Sequence, residues 1–569
     1  MVMEFLGNLV FRYIVFIMIC IVSLIIFSSL LKSNSKLIQK YSEAFFSYAL
    51  LIASFLKLFF YDLHKNVFRW PETADYVISY KILHPEFLKN DLSVNALIQS
   101  PKFLFSKFIT MLDSFNISPL LFAEILDLLR YFYPVIFFQI TVNILKFWFN
   151  NKNIYMCYLF MFLLLLHETA VSPIFSLILG NSAGYPTTIH MQTAYSSYLS
   201  YFFGFVFLLS YSKNYQIISL LMFFISCILN PVLGISILSF WFIFFFLKSL
   251  NYSHLVILTG CLLIVAIGIK MSFSYETNLS PETFINIHIY ERHPHHFHIS
   301  KIFNGRMVFI PIVILLPYFF SNIPRLKLVF LFCFIFYSGS IFLTYFFIEL
   351  FPTKLVATLT PNRFTRLGIQ LLLFEYCLFI NHILNQKNRY DRIIKFLSKI
   401  NNIDSMLSAK RLFQILIKTK KYFYFINVCF FIIIVINIPK NKLLKVENGI
   451  IPDSHNFIEW INDSTLVDDT FIVYPNDFNF NSYMRIFARR AIYVDHLFPF
   501  NENYFIEWSN RNKLIKNYFR DPSKNIGSLK GKAEYLILRD FDDKRFNSFK
   551  PYASFQKFKI FSVEEMLKN

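Results

Sequence analysis

The sequence predicts an α-helical polytopic membrane protein with about 11–12 transmembrane helices and a small extracytoplasmic α/β domain at the C-terminus. Three observations predict this class. Of the 569 residues, 56% are hydrophobic and only 16% are charged, whereas soluble proteins carry about 25% charged residues. Apolar runs near the spanning length of roughly 20 residues recur along most of the chain. Residues 440–569 lack such runs and have the composition of a soluble domain.

The candidate spans are twelve apolar segments whose order along the chain defines the topology. They are residues 8–31, 44–61, 128–148, 153–168, 194–211, 215–229, 231–247, 254–272, 306–322, 328–348, 366–385 and 421–438. The loop 386–420 contains nine lysines and arginines and only two aspartates. Loops rich in Lys and Arg remain in the cytoplasm, so this loop is predicted to be cytoplasmic.

Alternating the spans from that loop assigns a side to every other loop. Five short loops become cytoplasmic, and each carries Lys or Arg without an acid: 32–40, 150–153, 212–214, 248–253 and 324–327. The long polar segments become external: 62–127, 169–193, 273–305, 349–365 and 440–569. The chemistry of the protein is therefore expected at the external face. Twelve spans place the N-terminus outside, which leaves open that one of the first two runs is a surface or re-entrant helix.

The hydrophilic segment 440–569 predicts one helix followed by four strands. "SHNFIEWIND" suits a short helix, and "DTFIVYP", "RAIYVD", "AEYLILRD" and "FKIFSV" are rich in the β-branched and aromatic residues of strands. The segment has no Gly-rich phosphate loop and no metal-spaced Cys/His cluster. It is interpreted as a domain that covers the membrane site or binds carbohydrate, in preference to an independent catalytic domain.

The net charge of +20 does not indicate nucleic-acid binding. The basic residues cluster in short loops between apolar runs, as cytoplasmic loops do, and no basic nucleic-acid module is recognisable. The predicted partner of the protein is therefore the lipid bilayer.

Acids in the first external loop are candidates for a catalytic base. Asp91, Asp75 and Glu86 could accept the proton of an acceptor hydroxyl, or could hold a divalent cation against a phosphate. The alternative is that these acids are solvated, as acids in long loops usually are. No cofactor is otherwise indicated.

Basic side chains in two other external loops are candidates for phosphate or sugar binding. In "TPNRFTRLG", Arg363 and Arg366 lie three residues apart and share one face if the helix has begun, which suits a lipid-linked phosphate. Anchoring to lipid headgroups is the alternative. In "ERHPHHFH" (291–298), Arg292, His293 and His296 could donate to phosphate or sugar. Metal binding by the histidines and a solvated loop without function remain open for this stretch.

Two polar features interrupt or end the apolar runs. His167, followed by Glu168, ends a span and is either a site residue or an interfacial residue whose ring reaches the headgroups. "CILNPVLG" (227–234) either lines a cavity or forms a tight hairpin between two short spans. The hairpin is the favoured interpretation.

The layout resembles the C-type glycosyltransferases, polytopic enzymes that take sugars from polyprenyl-phosphate donors. The likeness is carried by the large acidic first loop, the late "TPNRFTRLG" and the tail phrases "FIEWINDSTLVDDTFIVYP" and "RIFARRAIYVD". "LHPEFLKND", "NPVLG" and "RHPHHFH" resemble segments of bacterial membrane proteins with the same layout. The resemblance implies a base at Asp75 or Asp91 and donor-phosphate binding by Arg363 or Arg366.

The resemblance also implies an activity and a location. The expected activity is sugar transfer from a polyprenyl-phosphate donor to a glycan, lipid or protein acceptor, at the outer face of a bacterial inner membrane. A transporter or flippase of a lipid-linked glycan is the alternative. A transporter needs polar groups that are reachable from both sides, whereas the enzyme needs its acids and arginines in one external cavity.

Overall fold

The chain is mostly helical, with a small mixed sheet near its C-terminus. The computed structural model describes residues 43–44, 46–51, 70–100, 106–107, 110–111, 132–149, 157–158, 161, 196–248, 252–272, 279–292, 309–359, 361, 364, 368–384, 454–474, 478–495, 497–499, 501–539, 543–555 and 558–568. In these residues three helical segments are long and apolar enough to cross a membrane, namely Pro231–Lys248, Tyr252–Lys270 and Pro324–Leu350. The protein is therefore expected to associate with a membrane.

Eight of the predicted spans coincide with helices. These helices are Tyr133–Phe149, Ser196–Ser212, Gln216–Leu229, Pro231–Phe244, Tyr252–Ser272, Phe309–Phe320, Pro324–Thr344 and Gly368–Leu384. Their aromatic and aliphatic side chains form one large buried core. Of the other predicted spans, 8–31 and 421–438 lie outside the described residues, and only short parts of 44–61 and 153–168 lie within them.

Shorter helices connect and flank this bundle. They are Trp70–Leu83, Leu92–Ile98, the 3-10 turn Phe246–Lys248, Pro281–Ile285 with the π-helix Asn286–Glu291, the π-helix Tyr345–Leu350 and Lys354–Leu359. Two of the predicted external loops, 273–305 and 349–365, thus contain helical segments. Within the described residues, the predicted first loop also contains the helices Trp70–Leu83 and Leu92–Ile98.

Basic residues from two predicted cytoplasmic ends meet aromatic residues from a third at one end of the bundle. Arg325 Nη1 donates to the carbonyl of Lys248 at 2.9 Å. The Lys248 ammonium lies 4.3 Å from the ring centroid of Phe147, and Trp148 Nε1 donates to the carbonyl of Phe244 at 2.8 Å. The helix Pro324–Thr344, which contains Arg325, continues into the π-helix Tyr345–Leu350. Ile348 of this π-helix packs in a second buried cluster, together with residues from the C-terminal part of the chain.

The "CILNPVLG" stretch is a tight helical hairpin. One helix ends at Leu229, Asn230 adopts an extended conformation, and the next helix begins at Pro231. The Asn230 side chain caps the second helix by accepting from the Leu233 N–H at 3.3 Å. Proline at the first helical position costs no hydrogen bond, because a backbone N–H at this position would have no partner within the helix. The local sequence therefore ends one helix and begins the next within one residue.

Gly234 allows the two helices of the hairpin to approach closely. A Cβ at this position would overlap the sulfur of Cys227 on the preceding helix. We expect Gly234→Ala to destabilise the protein by about 1–3 kcal/mol, the usual cost of overfilling a packed interior. The thermal unfolding midpoint of the purified chain measures the change. Gly339→Ala is the control, because a Cβ there meets no atom within 4 Å. Equal midpoints for the two variants would contradict the close approach.

The C-terminal region, here the described residues from 454 to 568, contains a five-stranded sheet flanked by helices. The strands are β1 (Thr470–Tyr474), β2 (Ala491–Ile492), β3 (Tyr535–Leu538), β4 (Ala553–Phe555) and β5 (Phe558–Ser562), in the order β2-β1-β3-β5-β4. Strands β2, β1 and β3 are parallel, and β5 and β4 are antiparallel to their neighbours. Four of these strands and the helix Ser454–Ser464 coincide with predicted elements.

The remaining helical elements of the C-terminal region cover the sheet. They are Phe478–Tyr483 with the π-helix Met484–Ala488, the 3-10 turn Glu502–Tyr504, Phe505–Arg520, Pro522–Asn525, the 3-10 turns Ile526–Leu529 and Lys544–Phe546, and Val563–Lys568. One buried cluster lies on one side of the sheet and includes Phe457, Phe471 and Phe480. A second includes Trp508 and Phe561, and it extends into segments from the helical part of the chain.

Candidate functional site

Three segments that lie in separate predicted external loops, or at the end of the span beside one, converge on the C-terminal region. We call them the first-loop segment (77–100), the 281–292 segment and the 345–359 segment. Leu92, Phe284, Ile348 and Ala357 from these segments lie in one buried cluster with residues of the C-terminal region. Segments that are not adjacent in the sequence thus form a common contact face.

The first-loop segment makes an apolar contact with the π-helix Met484–Ala488. Its side chains Val77, Ile78, Phe87, Leu88, Val94 and Leu97 are buried together with Ile486 and Leu497 of the C-terminal region. Burial of apolar surface stabilises such a contact by roughly 25 cal/mol per Å². This packing positions the turn before the helix Leu92–Ile98, where Asp91 lies.

Asp91 belongs to a buried charge cluster that joins the first-loop segment to the C-terminal region. Its Oδ2 accepts from Arg485 Nε at 2.7 Å and from the Ile492 N–H at 3.1 Å. Its Oδ1 accepts from the Val94 N–H at 3.1 Å, which caps the helix Leu92–Ile98. The side chain has no exposed surface, and both of its oxygens are engaged within the protein.

Asp495 completes this cluster from the other side of Arg485. Arg485 Nη1 donates to Asp495 Oδ2 at 2.5 Å, and the Leu497 N–H donates to Asp495 Oδ1 at 2.7 Å. Burial by itself would lower the pKa of the Arg485 guanidinium, but the charges and hydrogen bonds of Asp495 and Asp91 outweigh it and raise the pKa. Arg485 therefore stays charged, and the three groups carry one net negative charge that backbone N–H donors stabilise.

The turn that presents Asp91 contains a strained residue. Leu88 has a φ of 51°, a left-handed conformation that costs an L-residue roughly 1–2 kcal/mol. Its carbonyl accepts from the Asp91 N–H at 3.0 Å, and its side chain is buried against the C-terminal region. The apolar contact offsets the strain and fixes the direction of the chain at Asp91.

The 281–292 segment contacts the long helix Phe505–Arg520. Glu291 accepts from Ser509 Oγ at 2.6 Å and forms an ion pair with Lys513 at 3.1 Å. The Arg292 guanidinium lies 4.4 Å from the ring centroid of Phe498. The first two residues of "ERHPHHFH" thus hold this helix and its flanking loop.

The 345–359 segment reaches the same region through Lys354. Its ammonium forms an ion pair with Glu502 at 2.5 Å, and both side chains are largely shielded from solvent. The ammonium also lies 5.5 Å from the ring of Phe284. Lys354 therefore links the 281–292 segment and the 345–359 segment to the C-terminal region.

A polar cleft of about 920 Å³ lies where the first-loop segment meets the C-terminal region. It is lined by Lys89, Asn90, Leu92, Asn95, Ile98 and Gln99 from the first loop, and by Thr470, Tyr493, Tyr504, Glu507, Asn510, Arg511, Leu514, Gly531, Lys532 and Glu534. Four of these side chains are amides and five are charged. Such groups can bind a ligand rich in hydroxyl or charged groups.

The walls of the cleft are held by bonds between its two sides. Lys89 pairs with Asp468 at 2.5 Å, and Asn90 Nδ2 donates to the Asp468 carbonyl at 2.6 Å. On the C-terminal side, Arg511 forms an ion pair with Glu507, and its guanidinium carbon lies 4.6 Å from the ring centroid of Tyr493. Burial raises the pKa of Tyr493, which keeps this phenol neutral at physiological pH.

The structure describes some of the predicted site residues and not others. Asp91 is buried in the charge cluster, Glu86 is exposed in the turn after the helix Trp70–Leu83, and Asp75 lies within that helix. Arg292 is nearly buried against Phe498. The remaining predicted residues lie outside the described part of the chain: Arg363, Arg366, His293, His296 and His167. Their assigned roles stay predictions.

Arg485 and Asp495 are the residues that the sequence interpretation missed. A weak signal was present, because Arg485 interrupts the apolar run "YMRIFA" and Asp495 ends the strand-like "AIYV". A charged residue inside an apolar run indicates a buried ion pair, because a buried charge without an opposite charge beside it is strongly destabilising. The partner of Arg485 lies 394 residues away, so the pair could not be identified from local sequence.

The charge cluster and the cleft lie partly within a segment that matches a known family. Residues 452–515 match a domain of unknown function, DUF6798. This segment contains Arg485, Asp495 and the cleft residues from Thr470 to Leu514, but not the first-loop residues. No curated protein matches the chain. The comparisons thus show a likeness of the C-terminal region to one domain family and assign no activity.

Proposed function

We propose that the chain is an integral membrane protein of about 11–12 spans that transfers a sugar from a polyprenyl-phosphate-linked donor. The acceptor is a glycan, a lipid or a protein, and the reaction takes place at the extracytoplasmic face of a bacterial inner membrane. The C-terminal region covers the reaction site and binds the acceptor.

One observation carries this proposal. Segments from three loops that the positive-inside pattern assigns to the same side all contact the C-terminal region, and the first of them forms the polar cleft with it. An enzyme acting on substrates at one membrane face needs its polar groups gathered there. The amides and charged side chains of the cleft are suited to hydrogen-bond the hydroxyl groups of an acceptor glycan.

The proposed reaction is a direct displacement at the anomeric carbon of the donor. A carboxylate accepts the proton of the acceptor hydroxyl, and the acceptor oxygen bonds to the anomeric carbon as the bond to the lipid phosphate breaks. Arg363 and Arg366 stabilise the departing phosphate. Because both oxygens of Asp91 are engaged in a buried cluster, the proposal favours Asp75 or Glu86 as the base. A divalent cation could assist at the phosphate.

Sugar transfer from polyprenyl-phosphate-linked donors, measured in membranes that contain the full-length chain, tests the proposal. Asp75→Asn is expected to lower turnover roughly 10²–10⁴-fold, the usual contribution of a positioned base. Arg363→Ala is expected to lower it roughly 10²–10³-fold, as the loss of a donor to developing negative charge does. Lys516→Ala is the control, since this exposed side chain lies outside the cleft.

Two results would contradict the proposal. One is full turnover in both variants, which would place the reaction elsewhere. The other is a cytoplasmic location for a reporter fused after residue 569, compared with a control fusion inside the loop 386–420. The proposal requires the two fusions to report opposite sides of the membrane.

A further inference from the structure

Glu375 is an acid in the middle of an apolar helix. It lies in Gly368–Leu384, a helix whose other buried residues include Leu371, Phe374 and Leu378. The Glu375 side chain has no exposed surface. It does not take part in the reaction proposed above. An ionisable group at such a position is energetically costly, and such groups usually mark a functional site.

Neither carboxyl oxygen of Glu375 has a hydrogen-bond partner within the described part of the chain. The helix packs against Tyr133–Phe149, Phe309–Phe320 and Pro324–Thr344. Among the described residues, the ionisable groups that interact with Glu375 are the Cys333 thiol and the Tyr376 phenol, which are both neutral at physiological pH. No lysine or arginine forms an ion pair with it among the described residues.

An unpaired carboxylate in an apolar interior is far less stable than the neutral acid. The cost of burying an isolated carboxylate amounts to tens of kcal/mol in a medium of low dielectric constant, so the group takes up a proton instead. A metal ion would require several oxygen ligands. The described residues contain no group of three or more His, Cys, Asp or Glu side chains that could hold one.

We propose that Glu375 is a proton-binding site inside the helical bundle and holds its proton in the resting protein. The ligand of this site is a proton and not a metal cation. A carboxyl group that binds and releases one proton within a membrane is the group on which proton-coupled conformational changes depend. The inference stands on the burial of Glu375 and is independent of the proposed sugar transfer.

Infrared spectroscopy of the full-length protein in lipid tests this site directly. A protonated carboxyl group has a C=O stretching band that ionised carboxylates lack. We expect the wild-type protein to show this band at neutral pH, Glu375→Gln to lose it and Glu375→Asp to retain it. Glu86→Gln, which changes an exposed acid, should leave the band unchanged. An unchanged band in Glu375→Gln would overturn the proposal.

Labelling of the wild-type protein with an apolar carbodiimide provides a test that needs no variant. The carboxyl oxygen bonds to the carbodiimide carbon while the carboxyl proton moves to a nitrogen, and an acyl shift then gives a stable N-acylurea. Only a protonated carboxyl group can complete this addition without another acid. Mass spectrometry should find the label on the peptide containing Glu375. A label that is absent from this peptide, while other peptides carry it, would overturn the proposal.

Discussion

Replacing Arg485 with alanine should strongly destabilise the protein at the contact between the first-loop segment and the C-terminal region. Arg485 is the only described cation between the buried carboxylates of Asp91 and Asp495. Its removal leaves two buried carboxylates without a positive charge beside them, and removal of one partner from a buried ion pair costs about 3–5 kcal/mol. We expect this decrease in the free energy of unfolding, accompanied by faster proteolysis of the C-terminal region in the full-length chain.

Two further variants make the Arg485 experiment decisive. Arg520→Ala removes an exposed guanidinium from the end of the helix Phe505–Arg520 and should change the free energy of unfolding by no more than about 0.5 kcal/mol. Arg485→Lys should recover only part of the stability, because an ammonium cannot match the forked geometry that binds two carboxylates. If Arg485→Ala behaves like Arg520→Ala, the charge cluster does not hold the first loop to the C-terminal region.

The helices of the bundle were predictable because each of them corresponds to one continuous run of apolar residues in the sequence. The predicted span 366–385, for example, coincides with the helix Gly368–Leu384. The strands β1 and β3 follow in the same way from runs of β-branched and aromatic residues. The predicted ends differ from the observed ends by a few residues, since caps and short 3-10 turns, such as Phe246–Lys248, decide them.

The candidate site was less predictable because its parts come from distant segments. The sequence singles out Asp91 as an acid in a loop, but its environment depends on Arg485, 394 residues later. Likewise, Glu375 is visible as the only acid in the predicted span 366–385. That it has no hydrogen-bond partner in the part of the chain that the structure describes depends on how the neighbouring helices pack. Local patterns therefore predict elements and candidate residues, whereas the pairing of charges is a property of the tertiary fold.

Asp91 offers the clearest test between a structural and a catalytic carboxylate. Asp91→Ala removes the helix cap, worth about 1 kcal/mol, together with the acceptor for Arg485 and the Ile492 N–H. We expect a decrease of about 3–5 kcal/mol in the free energy of unfolding. Asp91→Asn keeps an oxygen for the cap but loses the charge. It should cost less, about 1.5–3 kcal/mol, the contribution of hydrogen bonds to charged groups.

A double-mutant cycle of Asp91→Asn and Arg485→Met separates the pair interaction from the effect of each substitution alone. Because Asp91 and Arg485 are in direct contact, the effects on unfolding should be non-additive by about 0.5–3 kcal/mol. Methionine fills a similar volume without charge, so the double variant should be more stable than the two single effects predict. A catalytic base gives the opposite pattern, in which Asp91→Asn leaves the free energy of unfolding unchanged and lowers only the turnover. Additive effects on stability, together with that loss of turnover, would restore Asp91 to the reaction and remove it from the contact between the first loop and the C-terminal region.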